Sequence, residues 1–346
     1  MNSVPETTDT LPRAARRRTA LISLSERLGR ITQEQVVLLF AFAIVVVFAI
    51  ALPGFAIWGN FIALLRSISI LGIFALGMAV VIIGRGIDLS QIAIALVSAG
   101  TATALMIAGI DLRVALVAGL ICAIGLGLTN GMLVAFLNFP PLFATLATAL
   151  VMVGVARSTL LTSMFLSVPA ELSSFLMLGQ NLRGIPIPLI VFAVSAALLH
   201  VFLSWTIFGR FIYAHGDNGQ AARLSGMPVR LLTLIEYSLS AAISYVAGIL
   251  MVASTAMLNL RVASSTMIFD VILIAVLGGV SLVGGRGGVH SVLAGAILIG
   301  VLLNGMTIMD LDYQLQNIIK GAVLLIAIAI DTVIHPHDIE TARQGA

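Results

Sequence analysis

Charge is what this chain has least of. Only 10% of its 346 residues are charged, against roughly 25% in a soluble globular protein, so a water-facing polar coat is excluded. Its only lysine is Lys320, which rules out a phosphate-binding loop with lysine followed by Ser or Thr. Its only cysteine, Cys122, sits in an apolar segment, so neither an intrachain disulfide nor a thiolate metal cluster can form. Histidines number five, and His335-Pro336-His337 stands alone near the C-terminus; a metal site there is not expected. No Ser/His/Asp set and no paired intramembrane carboxylates point to hydrolysis. An early apolar run is also missing. The first 35 residues hold Arg13, Arg16, Arg17, Arg18, Arg27 and Arg30, and the stretch Thr19 to Leu24 is too short for a cleavable signal peptide.

Apolar residues make up 60% of the chain, with a mean hydropathy of +1.14. Apolar runs long enough for a hydrocarbon core of ~30 Å recur at about 36–52, 61–83, 89–109, 113–137, 141–161, 185–208, 231–258, 267–283, 289–309 and 315–333. Backbone groups in hydrocarbon must pair within their own segment, so these runs are expected to be helices; the alternation of a β-barrel is absent. Breakers separate them: Pro53-Gly54, Gly84 and Gly86, Asn138 to Pro141, and Pro186 with Pro188. The expected fold is an all-α polytopic membrane protein of about ten transmembrane helices. Residues 1–35 form an N-terminal tail with a surface-lying helix over 19–35, residues 36–333 one transmembrane domain, and residues 334–346 a C-terminal tail. Glycines such as Gly125, Gly127, Gly131, Gly295, Gly300 and Gly305 fall inside spans, where small residues let helices approach closely.

Orientation follows from arginine. With the N-terminus inside, the six N-terminal arginines and Arg85, Arg210, Arg223, Arg230, Arg286 and Arg343 are cytosolic, against Arg113, Arg157, Arg183 and Arg261 outside. This is the positive-inside bias, and it accounts for the formal charge of +3 and the pI near 9.5 without a nucleic-acid partner. Both termini are then cytosolic, and the longer external segment, 162–184, is a candidate docking surface.

The segment 209–230, GRFIYAHGDNGQAARLSGMPVR, is polar and lies between two spans on the cytosolic side. Ala221-Ala222-Arg223-Leu224-Ser225-Gly226 can form a short helix ended by glycine. Gly216, Asn218, Ala221, Ala222, Ser225, Gly226 and Val229 resemble the coupling segment of the ribose/xylose/arabinose/autoinducer-2 class of ABC importer permeases. Three further stretches are similar to that class: Gly86-Ile87-Asp88-Leu89-Ser90; Leu277 to Ser281 with Gly284 to Gly287, Gly295 and Gly300; and Asn304-Gly305 with Ile319-Lys320-Gly321. The resemblance runs from about 36 to 333. Where the family usually has Gly-Gly, this chain has Arg85-Gly86, and Gln91-Ile92 stands where Val-Gly is usual.

The resemblance implies a non-enzymatic translocation subunit of the bacterial inner membrane, with inverted pseudo-symmetric halves. Its implied partners are an ABC ATPase that hydrolyses ATP-Mg elsewhere, a solute-binding protein, and a second permease subunit, identical or not. Gly216, Asn218, Ala221, Ala222, Arg223, Ser225 and Gly226 would make up the ATPase-coupling loop. Neutral polar residues on the spans, Gln91, Ser98, Thr101, Thr103, Asn130, Thr145, Thr148 and Asn304, are path candidates for an uncharged hydroxylated solute; Ser, Thr and Asn also bond readily to their own helix or a neighbour. Lys320 is expected to pair outward with Asp270, Asp310 or Asp312, and Glu236 and Asp331 to face headgroups or the ATPase. The alternative is an ion-coupled secondary transporter, which would place acidic residues near the midplane. No span as read carries one there, and no filter motif suggests a channel.

Overall fold

The computed structural model describes residues 32–334. The N-terminal tail, nearly all of the proposed surface helix, and the histidines of the C-terminal tail lie outside those residues. Five long helices come first: α1 (Gln33–Ala51), α2 (Trp58–Ile83), α3 (Gln91–Ile107), α4 (Leu112–Ala135) and α5 (Pro141–Thr159). A short helix, α6 (Ser173–Leu176), precedes α7 (Ile187–Trp205), after which come α8 (Ile207–Asp217) and α9 (Gly219–Leu224). The second half holds α10 (Val229–Thr255), α11 (Met267–Gly278), α12 (Val289–Ile308) and α13 (Tyr313–Ile334). Among the described residues, seven helices (α1, α2, α4, α5, α7, α10 and α12) are long and apolar enough to cross a membrane, and α3 and α11 are shorter apolar helices. The chain is thus a multi-pass membrane protein.

Helix starts follow local chemistry. At the entry to α1, the Thr32 side chain accepts from Gln35 N while Gln35 Oε1 accepts from Thr32 N, a capping box that satisfies two otherwise free donors. Pro141 opens α5 and Pro188 lies in the first turn of α7, where a missing N–H is harmless.

α2, α3 and α10 form the centre. Every residue of α2 from Leu71 to Ile83 is buried, as is all of α3 from Gln91 to Gly100. α10 packs on α2, α3 and α4, and α12 packs on α1, α2 and α11. The peripheral helices turn large apolar side chains outward, including Phe42, Leu150 and Leu198. In water that exposure would be unfavourable; in hydrocarbon it is the outer surface. Interior contacts use glycine. Gly278 and Gly295 face one another across α11 and α12, and a Cβ on Gly295 would strike the Ile274 carbonyl. Gly127, Gly131, Gly300 and Gly305 are packed likewise, whereas Gly125 faces open space.

The segment 162–184 is ordered at one end of the bundle. Strand β1 (Phe165–Ser167) pairs antiparallel with β4 (Met257–Asn259), in the register Phe165 to Asn259. β2 (Asn181–Leu182) and β3 (Ile185–Pro186) make a small hairpin. The opposite end carries α8 and α9.

Candidate functional site: a three-way joint and a buried polar core

The turn joining α2 to α3 does not simply reverse at the helix end. Gln91 Nε2 donates to Phe74 O at 2.8 Å, and a Cβ on Gly77 would meet that same amide. Gly77 lies six residues before the end of α2, about 9 Å at 1.5 Å per residue. α3 therefore starts well inside the bundle, and residues 84–90 re-enter it without being helical. Irregular backbone at such depth is stable only where its polar groups are satisfied. Thr145 on α5 does this: Leu89 N donates to its hydroxyl at 3.0 Å, and the hydroxyl is 3.2 Å from Ile87 O. Asp88 Oδ1 accepts from Ser90 N and Ser90 Oγ, Asn130 Nδ2 donates to Ser90 Oγ at 2.6 Å, and Thr148 Oγ1 donates to Asn130 Oδ1 at 2.6 Å.

This chain of side chains brings together Asn130, Thr145 and Thr148 from the path candidates. Gln91 stands beside it, following Ser90 and bonded to Phe74 O, and the other four lie apart. Ser98, Thr101 and Thr103 bond to carbonyls of their own helix, the bland role open to such residues. Asn304 forms a reciprocal amide pair with Asn60, at 3.0 and 2.8 Å.

One expectation is overturned. Glu236 faces neither headgroups nor a partner: it is 1% exposed, with its carboxyl packed directly on Gly84. α10 begins at Val229, so Glu236 is two turns in and on the inward face. Asp88 is wholly buried nearby. Two buried carboxyls thus stand at this end of the bundle, Glu236 on α10 and Asp88 in the non-helical turn, and ion coupling through that end is not excluded by the lack of acidic residues in the middle of the spans. The Asp331 side chain lies outside what is described.

At the α9 end, three segments meet. Gly285 N donates to Ile83 O at 2.9 Å. Gly216, at the end of α8, is pressed against both, and any Cβ there would collide with the Ile83 carbonyl and lie 2.6 Å from Gly285 N. Tyr213 OH donates to Gly287 O and Arg85 Nε to Val283 O, both at 2.8 Å. Gly284, Gly285 and Gly287 have φ of +94°, +70° and +104°, which only glycine adopts without strain. The end of α2, the 279–288 loop and α8 thus form a single body.

α9 projects from that body. Asn218 ends α8 and starts α9, its side chain accepting from Ala221 N at 2.9 Å. Gly226 N donates to Arg223 O and Met227 N to Ala222 O, with Gly226 at φ +77°, the glycine-ended stop of a Schellman turn. Ala222 faces inward, while Ala221, Arg223, Ser225 and Gly226 are exposed. Leu224 is 90% exposed and is the apex that sequence reasoning passed over. His215, on α8, is held below the ordinary imidazole range by burial and then by the charges of Arg223 and Arg85.

Arg85 departs from glycine at a position that favours glycine, with φ +69°. An L side chain there costs about 1–2 kcal/mol, offset by its bond to Val283 O. Arg85→Ala keeps the strain and loses the bond, so its Tm in detergent is expected to fall below that of Arg85→Gly. The reverse order would show that strain at 85 is negligible.

At the opposite end, Lys320 Nζ lies 2.8 Å from Asp270 Oδ1, with both side chains nearly buried. Asp310 and Asp312 are exposed. Arg66, absent from the topology reading, donates from Nη2 to Asn181 Oδ1 at 3.1 Å, tying α2 to the 181–186 hairpin.

This bundle, with its re-entrant turn and projecting short helix, is that of a transport permease: residues 60–328 match the family described as branched-chain amino acid transport system / permease component, and the chain belongs to that family. Among curated proteins it is similar to the ribose import permease protein RbsC of Bacillus subtilis, 34% identical over 84% of this chain and 90% of that one. RbsC of Escherichia coli K12 is 30% identical over 86% and 93%. The L-arabinose transport system permease protein AraH of the same strain is 34% identical over 88% and 92%. No solved structure matches the chain.

Proposed function

We propose that the chain is the membrane-spanning subunit of an ATP-binding-cassette importer that moves a neutral monosaccharide or polyol into the bacterial cytosol across the inner membrane. The observation that carries this reading is the three-way joint: α8, from whose end α9 projects, is held by the Gly216 contacts to the end of α2 and to the 279–288 loop, so force applied at Leu224 reaches the bundle interior. In this reading the long helices with α3, α11 and α13 make ten spans in inverted halves, both termini are cytosolic, and α9 docks on an ATPase that binds ATP-Mg. A solute-binding protein sits on the opposite face, near the β1–β4 ribbon, and a second permease subunit completes the pathway. The uncharged character of Gln91, Asn130, Thr148 and Asn304 suits a hydroxylated solute, as do the ribose and arabinose names of the relatives. The chain itself carries out no hydrolysis.

ATP-driven closure of the ATPase pair would shift the bundle between two arrangements. Gly226→Asp tests this. The side chain has open space, and the φ of +77° costs an Asp about 1–2 kcal/mol at an exposed turn, so insertion is expected to stay near wild type with at most a small fall in yield, while ATP-driven uptake in proteoliposomes with binding protein falls at least several-fold. Wild-type uptake would remove α9 from the coupling role. Among the alternatives, ion-coupled secondary transport gains from the burial of Asp88 and Glu236, and the ATP dependence of uptake separates the two.

A further inference from the structure

A cavity of about 180 Å³ lies where the 84–86 turn, α8, α9 and α10 meet. At ~30 Å³ per water it has room for about six, enough for a small organic molecule. Its walls are chemically graded. Arg85, Arg223 and Arg230 line it and are exposed; Glu236 and Tyr237 line it and are each 1% exposed. Three polar atoms of its lining residues are buried with no hydrogen-bond partner: Glu236 Oε1, Tyr237 OH and His215 Nδ1. Buried polar groups in folded proteins are satisfied as a rule, and each exception asks for an explanation such as water, an ion or a ligand.

The grading narrows the ligand. A bare cation would have to enter past three guanidinium groups. A bare phosphate would suit those forks but would leave the acceptor on Glu236 and the phenol of Tyr237 unmatched. A molecule with a phosphate at one end and hydroxyls at the other satisfies both, its phosphate among the arginines and its hydroxyls donating to Glu236 and bonding Tyr237. We propose that this cavity is a binding site for a phosphorylated polyol, and that its occupation clamps α9 to the bundle and slows the permease from the cytosolic side. The braking role rests on the coupling role given to α9 above; the binding site does not. The same chemistry has two sources, a soluble monosaccharide phosphate or the headgroup of phosphatidylglycerol.

The test is equilibrium binding of D-ribose 5-phosphate to the full chain in phosphatidylcholine nanodiscs, with D-ribose and inorganic phosphate as comparisons. A parallel arm uses native mass spectrometry of the chain in phosphatidylglycerol nanodiscs. Ribose 5-phosphate is expected to bind at least about tenfold more tightly than either comparison, and Arg223→Gln and Glu236→Gln each to weaken it by about tenfold, or about 1.4 kcal/mol. Retention of one phosphatidylglycerol per chain, lost in Arg223→Gln, would support the site with a lipid source. Binding of neither probe, or binding unchanged in both variants, overturns the proposal and leaves a water-filled cavity. Since Arg223 is exposed, its variant folds even if Glu236→Gln does not. ATP-driven uptake with no binding would remove this inference alone, whereas binding without ATP-driven uptake would remove the importer reading and leave the site.

Discussion

Gly216→Val is expected to abolish ATP-driven uptake and to lower folded yield, the largest effect of any single substitution in the α9 region. A Cβ at 216 has nowhere to go, because it meets the Ile83 carbonyl and the Gly285 amide, both backbone atoms already bonded to one another. Relief would require moving the end of α2 or the 279–288 loop, and overpacking of this kind costs about 1–3 kcal/mol. Gly219→Ala is the control. Its Cβ would lie 3.4 Å from the His215 ring, a contact that a small ring shift relieves, so uptake and yield should be close to wild type. Measuring uptake and Tm for the two variants together checks the joint; a Gly216→Val protein with wild-type values for both would show that these segments move independently.

Lys320→Met is expected to reduce folded yield sharply. It leaves Asp270 nearly buried with its ion-pair partner among the described residues removed, and stranding one charge of a buried pair costs about 3–5 kcal/mol. Replacing both partners avoids that penalty, so Lys320→Met with Asp270→Asn should recover most of the yield. Thr266, 3.4 Å from the ammonium, is too weak a partner to change the order. Fluorescence-detected size exclusion measures this directly. Full yield of the single variant with lost uptake would instead place the pair in the pathway.

The positions of the seven long apolar helices and of the shorter α3 and α11 were legible because hydrocarbon leaves the backbone no other choice, and their ends differ from the reading by five residues or fewer. Gly226 and the short helix before it were legible from turn chemistry. What was not legible depended on depth. Gly86 to Ser90 reads as an ordinary turn, and only the bonds from Gln91 to Phe74 and from Thr145 to the turn show that it re-enters the bundle. Glu236 reads as a headgroup-facing residue from its place near a span end; which way it points depends on the helical phase of α10 against Gly84. Likewise the motifs around Gly86, Gly216 and Gly285 are far apart in sequence, and their meeting at one point is a property of the packing. Arg66 was hidden by its position within an otherwise apolar run.

That convergence matters for the rival mechanism. With Asp88 and Glu236 buried, the distribution of acidic groups cannot by itself exclude ion coupling, and the weight passes to the permease family and to the joint. The direct measurement is uptake, into proteoliposomes containing this chain with its ATPase, of the solute that its binding protein selects. ATP would be supplied on the ATPase side, and uptake compared with and without a protonophore and a sodium ionophore. The account predicts uptake that requires ATP and binding protein and is unchanged by either ionophore. Uptake that proceeds without ATP and collapses with an ionophore would contradict it.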